Sequence, residues 1–277
     1  MNEKTQPAYD IADLKRLMER LRDPETGCPW DLIQTYQSIA PFTLEECLEL
    51  IDALEQGDLE HVEEELGDLL FQVVFYSQLG KEDGLFDFDS VVSGITAKLL
   101  RRHPHVFKDG ELEGVITDRA SVDQIKTNWE VEKASERAAR AQESAMDDVP
   151  GTLSALARAQ KLQKRASSVG YDFLSADSVL PSLASELREL AEAREIHAQE
   201  EIENELGDVL FTVVNLSRHL KVDAEAALRK ANRRFEQRVR RAECAAHEAG
   251  SRLEDESVEQ LEERWSAAKA KEGNGDL

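Results

Sequence analysis

Four acids occur twice in this chain with their spacing intact: Glu46, Glu49, Glu65 and Asp68, then Glu186, Glu189, Glu205 and Asp208, each 140 positions after its counterpart. Other segments repeat in the same order. Gly27-Cys28-Pro29-Trp30-Asp31 pairs with Gly170-Tyr171-Asp172-Phe173, Lys98-Leu99-Leu100-Arg101-Arg102 with Lys230-Ala231-Asn232-Arg233-Arg234, and Trp129 with Trp265. Self-similarity over so long a period marks duplication of a whole domain rather than a short solenoid repeat. The length of 277 residues suits two domains of about 100 to 150 residues each. The boundary falls in the polar, Ala-rich stretch before Val149-Pro150-Gly151. The division expected is therefore 1–138, a linker over 139–150, and 151–277.

No alternating β-branched stretch is long enough to predict a sheet, and each half reads as helical segments. The fold class expected is all-α. In the first half the periodicity predicts helices over about 11–21, 43–55, 59–79 and 88–102, with a last one around 121–141. Thr43 is placed to cap the second of these, with Glu46 completing a Thr-x-x-Glu box. Gly57-Asp58 supplies a turn to the next helix, and so short a connection makes the two helices antiparallel neighbours. The corresponding stretch of the second half, 193–199, holds no Gly or Pro, and its turn is less plainly written.

Residues three apart on a helix share a face, so Glu46 with Glu49 and Glu65 with Asp68 form two pairs that antiparallel helices can bring together. Gln72 falls on the same stripe as Glu65 and Asp68. The helix around them is apolar on nearly every side: Val62, Leu66, Leu69, Leu70 and Val73 make one face, and Phe71, Val74 and Phe75 cover much of the rest. Such a helix belongs inside a bundle, including one shared with a second subunit. Carboxylates converging in a partly dry interior repel one another and resist ionisation unless a divalent cation supplies the opposite charge. Oxygen ligands without His or Cys suit Mg²⁺ or Mn²⁺ rather than zinc. Magnesium held in this way keeps positions for water and for substrate phosphates. The basic residues Lys98, Arg101 and Arg102, with Lys230, Arg233 and Arg234, either steady those phosphates or serve as the positive last turns of helices. Trp129 and Trp265 either stack on a base or pack as core.

Charge and composition narrow the classes. A formal net charge of −23 argues against nucleic-acid binding, which uses basic surface to displace phosphate counterions. No apolar run approaches the ~18 residues of a membrane span and the N-terminus carries no apolar signal region, so a cytoplasmic location is expected. The three cysteines, Cys28, Cys47 and Cys244, form no Cys-x-x-Cys pair and indicate neither a disulfide framework nor a thiolate metal site.

Glu45-Glu46-x-x-Glu49 followed by Glu65-x-x-Asp68 resembles the motif of the MazG-type all-α nucleoside triphosphate pyrophosphohydrolases. The likeness extends to 21–31, to Gly67 through Phe75, to Arg101-Arg102-His103-Pro104-His105-Val106-Phe107 and to Ala159-Gln160-Lys161. It covers most of the chain and is similar to the two-domain bacterial members. The resemblance implies tandem helical-bundle domains completed by homodimerisation. It also implies Mg²⁺-dependent cleavage of NTPs and dNTPs between the α and β phosphates, with a housecleaning role. By that likeness Glu46, Glu49, Glu65 and Asp68 are metal ligands of the first half, and Glu186, Glu189, Glu205 and Asp208 those of the second. Lys230 through Arg234 and Trp265 contact nucleotide there, with Lys98, Arg101, Arg102 and Trp129 as first-half counterparts. Glu45 or Glu49 is the candidate general base. The second half has Ser185 and Asn204 where the first has Glu45 and Glu64, so the fuller acid motif is N-terminal. Two rival readings are a pyrophosphohydrolase of narrow substrate range, and a non-catalytic helical dimer whose acids bind metal or a basic protein.

Overall fold

The computed structural model describes residues 8–114, 121, 125 and 144–272. The chain divides into two compact units, Met1–Ala134 and Ser135–Leu277. Every regular element among the described residues is helical. The first unit holds α1 (Ile11–Leu21), α2 (Pro29–Leu32), α3 (Tyr36–Gln56), α4 (Leu59–Glu82) and α5 (Phe88–Arg102). The second holds α6 (Ala155–Ser168), α7 (Ala176–Glu195), α8 (Gln199–His219), α9 (Ala224–Glu248) and α10 (Val258–Glu272). The expected helix at 121–141 and most of the expected linker lie outside the described residues.

In each unit the dominant packing is a pair of consecutive helices, α3 on α4 and α7 on α8. The turns between them differ in chemistry and agree in shape. Gly57 ends α3 in the left-handed region (φ 77°), and Asp58 caps α4 by accepting from the His61 amide at 3.2 Å. His197 takes the left-handed position in the second unit (φ 53°), followed by Ala198, which has no side chain with which to cap. A non-Gly residue in that region carries a steric cost, which explains why the second turn was hard to read in sequence.

Helix α3 begins seven residues before the expected start at position 43. Its cap is Thr35, whose hydroxyl accepts from the Ser38 amide at 3.2 Å while Ser38 Oγ accepts from the Thr35 amide at 2.8 Å. The predicted Thr43–Glu46 capping box is thus incorrect. Pro41 prompts that error, because an interior proline breaks a helix by rule. Here it sits in the second turn, where it removes one backbone bond, and Ile39 is buried beside it. Pro181 repeats the arrangement in α7, which Ser175 caps in the same way. Thr43 instead donates to the Ile39 carbonyl at 3.2 Å and lies 3.1 Å from the Tyr76 hydroxyl.

The first core gathers Met18, Ile39, Val74, Phe75 and Leu79, with Leu14, Tyr36, Phe71, Tyr76 and Phe88 against it. On α4 the buried side is therefore that of Val74, Phe75 and Leu79, while Leu66, Leu70 and Val73 remain exposed. Arg22 ties the ends together. Its guanidinium is almost fully buried, donates to Glu82 at 2.7 Å and to the Asp31 and Gln34 carbonyls, and stands 5.5 Å from the Phe75 ring. The second unit uses Asp172 for a similar purpose: it accepts from Arg218 and lies 3.1 Å from His219 Nε2. Burial opposes ionisation of Asp172, but bonds from Arg218, Ser167 and His219 outweigh it and bring its pKa from 3.8 down to about 2.

A carboxyl that titrates lower when folded stabilises above its unfolded pKa and loses that contribution as pH falls through the folded one. Asp172→Asn is expected to cost the second unit about 2 kcal/mol near neutral pH. In urea melts across a pH series, the gap between variant and parent should narrow from pH 4 toward pH 2. A gap constant over that range would show that the ion pair is not its source.

Candidate metal centre

Antiparallel packing places the acid pairs of each unit across from one another. Glu46 and Glu49 project from α3 toward Glu65 on α4, and one carboxylate oxygen of each lies within 4.8 Å of the others. The second unit gathers Glu186 from α7 with Glu205 and Asp208 from α8 within the same limit. Asp68 and Glu189 stand just outside these triplets, yet their charges reach in. Partial burial, then the charges of Asp68, Glu49, Glu65 and Glu45, raise the Glu46 carboxyl above its ordinary range. Glu186 is raised by desolvation and then by Glu189 and Asp208, and Glu205 by desolvation followed by Glu189, Asp208, Glu186 and Glu201. The eight acids singled out in the sequence thus gather into two clusters, one in each unit. The tight triplet differs between them.

A substitution explains part of that difference. Ser185, which replaces Glu45, donates to Glu189 Oε1 at 2.8 Å and accepts from Arg188 at 3.1 Å, holding Glu189 along its own helix. In the first unit Glu45 is exposed, next to Glu46 in sequence and felt by it through charge. Sequence reasoning missed a residue here. His61 Nε2 lies 2.6 Å from Glu65 Oε1, and its signal was the i, i+4 spacing on a helix already predicted.

Glu65 is 6% exposed, and its Oε2 is buried without a hydrogen-bond donor. A buried carboxylate oxygen lacking a partner is costly. Oxygen donors, like charges and an unpartnered buried oxygen all fit a hard divalent cation. Gln72 is buried two turns farther along α4 than Glu65, near Thr43 at 3.5 Å.

The basic candidates lie on two helices, and Trp265 on a third. Arg101 and Arg102 occupy the last turn of α5, one turn past Lys98. Lys230, Arg233 and Arg234 lie along α9. Trp265 on α10 packs against Phe235 with ring centroids 5.5 Å apart and 5.3 Å from the Arg238 guanidinium. It therefore meets α9 within about a turn of that basic segment. Trp129 lies outside the described residues.

Fold and site together define a duplicated, all-helical protein able to hold a divalent cation on carboxylates in each unit. The comparisons with known proteins agree. The sequence profile described as "MazG nucleotide pyrophosphohydrolase domain" matches residues 34–107 and 174–242, the two segments that carry the acid sets. The chain is 46% identical over 264 residues to the nucleoside triphosphate pyrophosphohydrolase of Escherichia coli K12, covering 95% of this chain and 98% of that one. It is 40% identical over 257 residues to the Thermotoga maritima protein named nucleoside triphosphate pyrophosphohydrolase/pyrophosphatase MazG, with 93% and 94% covered. A Bacillus subtilis protein, YabN, matches at 37% over 265 residues, which span 52% of its length. The chain belongs to the MazG nucleotide pyrophosphohydrolase family and is an enzyme of that hydrolase class.

In metal-free protein the acid set destabilises its own surroundings, so Glu65→Gln is expected to leave stability unchanged or raise it by about 1 kcal/mol in chelator. With Mg²⁺ added the order should reverse, because a ligand stabilises only the form that binds it. Thermal melts with and without metal read both signs. A variant still stabilised by Mg²⁺ as much as the parent, in a chain whose second set is disabled, would remove Glu65 from the site.

Proposed function

We propose that this chain is a Mg²⁺-dependent nucleoside triphosphate pyrophosphohydrolase that cleaves NTPs and dNTPs between the α and β phosphates. The products are a nucleoside monophosphate and pyrophosphate, and the role is removal of unwanted nucleotides from the cytoplasmic pool. The observation that carries the reading is the buried, unpartnered Oε2 of Glu65 within a triplet of carboxylates. The names of the Escherichia coli and Thermotoga maritima relatives support the reaction class.

In this reading Glu46, Glu49, Glu65 and Asp68 hold the cation in the first unit, and Glu186, Glu189, Glu205 and Asp208 in the second. Mg²⁺, or Mn²⁺ in its place, supplies charge neutralisation for the phosphates and a lowered pKa for bound water. Glu45 or Glu49 accepts the proton of the attacking water. Its oxygen bonds to phosphorus as the α–β bridging P–O bond breaks and pyrophosphate leaves. Lys98, Arg101 and Arg102, with Lys230, Arg233 and Arg234, steady the phosphates. Trp265, already bordered by Arg238, and Trp129 offer faces for a base.

A homodimer completes each bundle in the same proposal. Leu66, Leu70 and Val73 on α4 are about half exposed, as are Leu206, Leu210 and Val213 on α8. Apolar stripes of this kind mark surfaces that a second chain covers.

Each common NTP and dNTP is incubated with the protein in Mg²⁺ or chelator, and products are separated by anion exchange. Monophosphate with pyrophosphate, formed only with metal, is expected. Diphosphate with orthophosphate would overturn the bond assignment, and turnover confined to one substrate would favour a narrow enzyme. Glu65→Gln and Glu205→Gln apportion activity between the units, and the double replacement should lower it more than about 100-fold.

A further inference from the structure

Trp30 is 49% exposed at the surface of the first unit, yet its backbone is tightly held. Pro29 opens α2 and sets its first turn. The Trp30 carbonyl accepts from Gln34 Nε2 at 2.9 Å, and Ser38 Oγ donates to Gln34 Oε1 at 2.7 Å. Asp31, the next residue, is buried, and its carbonyl accepts from the buried guanidinium of Arg22. The indole is therefore carried to solvent on a fixed frame rather than on a loose loop, and so large an apolar ring held there is a surface for contact.

One neighbour links the ring to the acid cluster. Trp30 meets Phe42 with ring centroids 5.8 Å apart and an interplanar angle of 71°. Such an edge-to-face contact covers only part of either ring, and Phe42 is itself 38% exposed. Phe42 lies on α3 ahead of Glu46 and Glu49, by one turn and by two. The three share one face, with Cβ atoms about 6 Å apart from turn to turn. An aromatic pair thus adjoins the carboxylate triplet, at a span comparable to that between the α phosphate and the base of a nucleotide. Ser182 stands 140 residues after Phe42, so the second unit has no equivalent pair.

We propose that Trp30, with Phe42 behind it, is the face on which the base of a nucleotide stacks in the first unit. This rests on the nucleotide reading given above, in which the carboxylates and their cation take the phosphates. Aromatic surface beside an acidic cluster suits the uncharged, planar part of a nucleotide, while the anionic part is drawn to the cation. Stacking reads the π-face that every base has, so the first unit accepts purines and pyrimidines alike and holds the larger purines more tightly. The second unit holds its base by other groups.

The test uses the full chain carrying Glu205→Gln and Asp208→Asn, so that binding reports the first unit. The probes are the hydrolysis-resistant α,β-methylene analogue of ATP and inorganic tripolyphosphate, each with Mg²⁺. Adding Trp129→Phe and Trp265→Phe leaves Trp30 as the single indole. Its fluorescence is expected to be quenched by the analogue and not by tripolyphosphate, which has no base. By equilibrium dialysis, Trp30→Ala should weaken the analogue about 10-fold and leave tripolyphosphate unchanged, while Trp30→Tyr, which keeps a ring, should retain most of the affinity. Equal weakening of both probes would assign Trp30 a merely structural role, and a change in sedimenting mass would assign it to a subunit contact. Either result overturns the proposal, as does an unquenched indole when dialysis shows the analogue bound. Binding of neither probe would remove the nucleotide reading of the first unit, and the stacking face with it.

Discussion

Everything else in each unit depends on a reversal of two or three residues between consecutive helices. Gly57-Asp58 and Ile196-His197-Ala198 turn the chain so tightly that α3 must lie against α4, and α7 against α8. Given that geometry, acids three apart on one helix confront acids three apart on the next. Like charges then meet beside an apolar interior, where Glu46, Glu186 and Glu205 resist ionisation, and a cation is the kind of species that would relieve them. The fold thus holds its carboxylates in an electrostatically unfavourable arrangement, which is common to sites prepared for binding rather than for stability.

The two copies have kept the arrangement and changed its supports. In the first, Asp58 caps α4, the His61 ring lies beside Glu65, and Glu65 is buried. In the second, Ala198 leaves α8 without a side-chain cap, Glu201 stands where the first has His61, and Ser185 holds Glu189 along its helix. Each unit also anchors its loops differently, with a buried arginine reaching Glu82 in one and an aspartate reached by Arg218 and His219 in the other. A duplicated domain can diverge in this way because the acid pairs require only the helix pair, while the surrounding hydrogen bonds adjust the properties of each site separately.

Period and spacing made the all-helical fold, the duplication and the eight acids legible, because helical phase and a repeat of fixed length are properties of a linear string. The start of α3 was not legible. Pro41 reads locally as a break, and only the burial of Ile39 and the Thr35–Ser38 cap show the helix passing through it. Nor did the apolar run of α4 disclose its buried side. With hydrophobic residues nearly all round, the phase that carries Val74, Phe75 and Leu79 inward is selected by α1 and α3, which fill the space against it.

The sequence by itself determined which residues repeat, that they lie on helices, and that carboxylates without thiol or imidazole ligands favour a hard cation. Tertiary structure decided which three of four acids approach within 4.8 Å in each unit and which carboxylate oxygen is left buried without a donor. It also brought His61 to Glu65. The reason is physical: spacing along a chain fixes only the direction in which a side chain leaves its helix, whereas burial, hydrogen-bond partner and distance depend on what packs across from it.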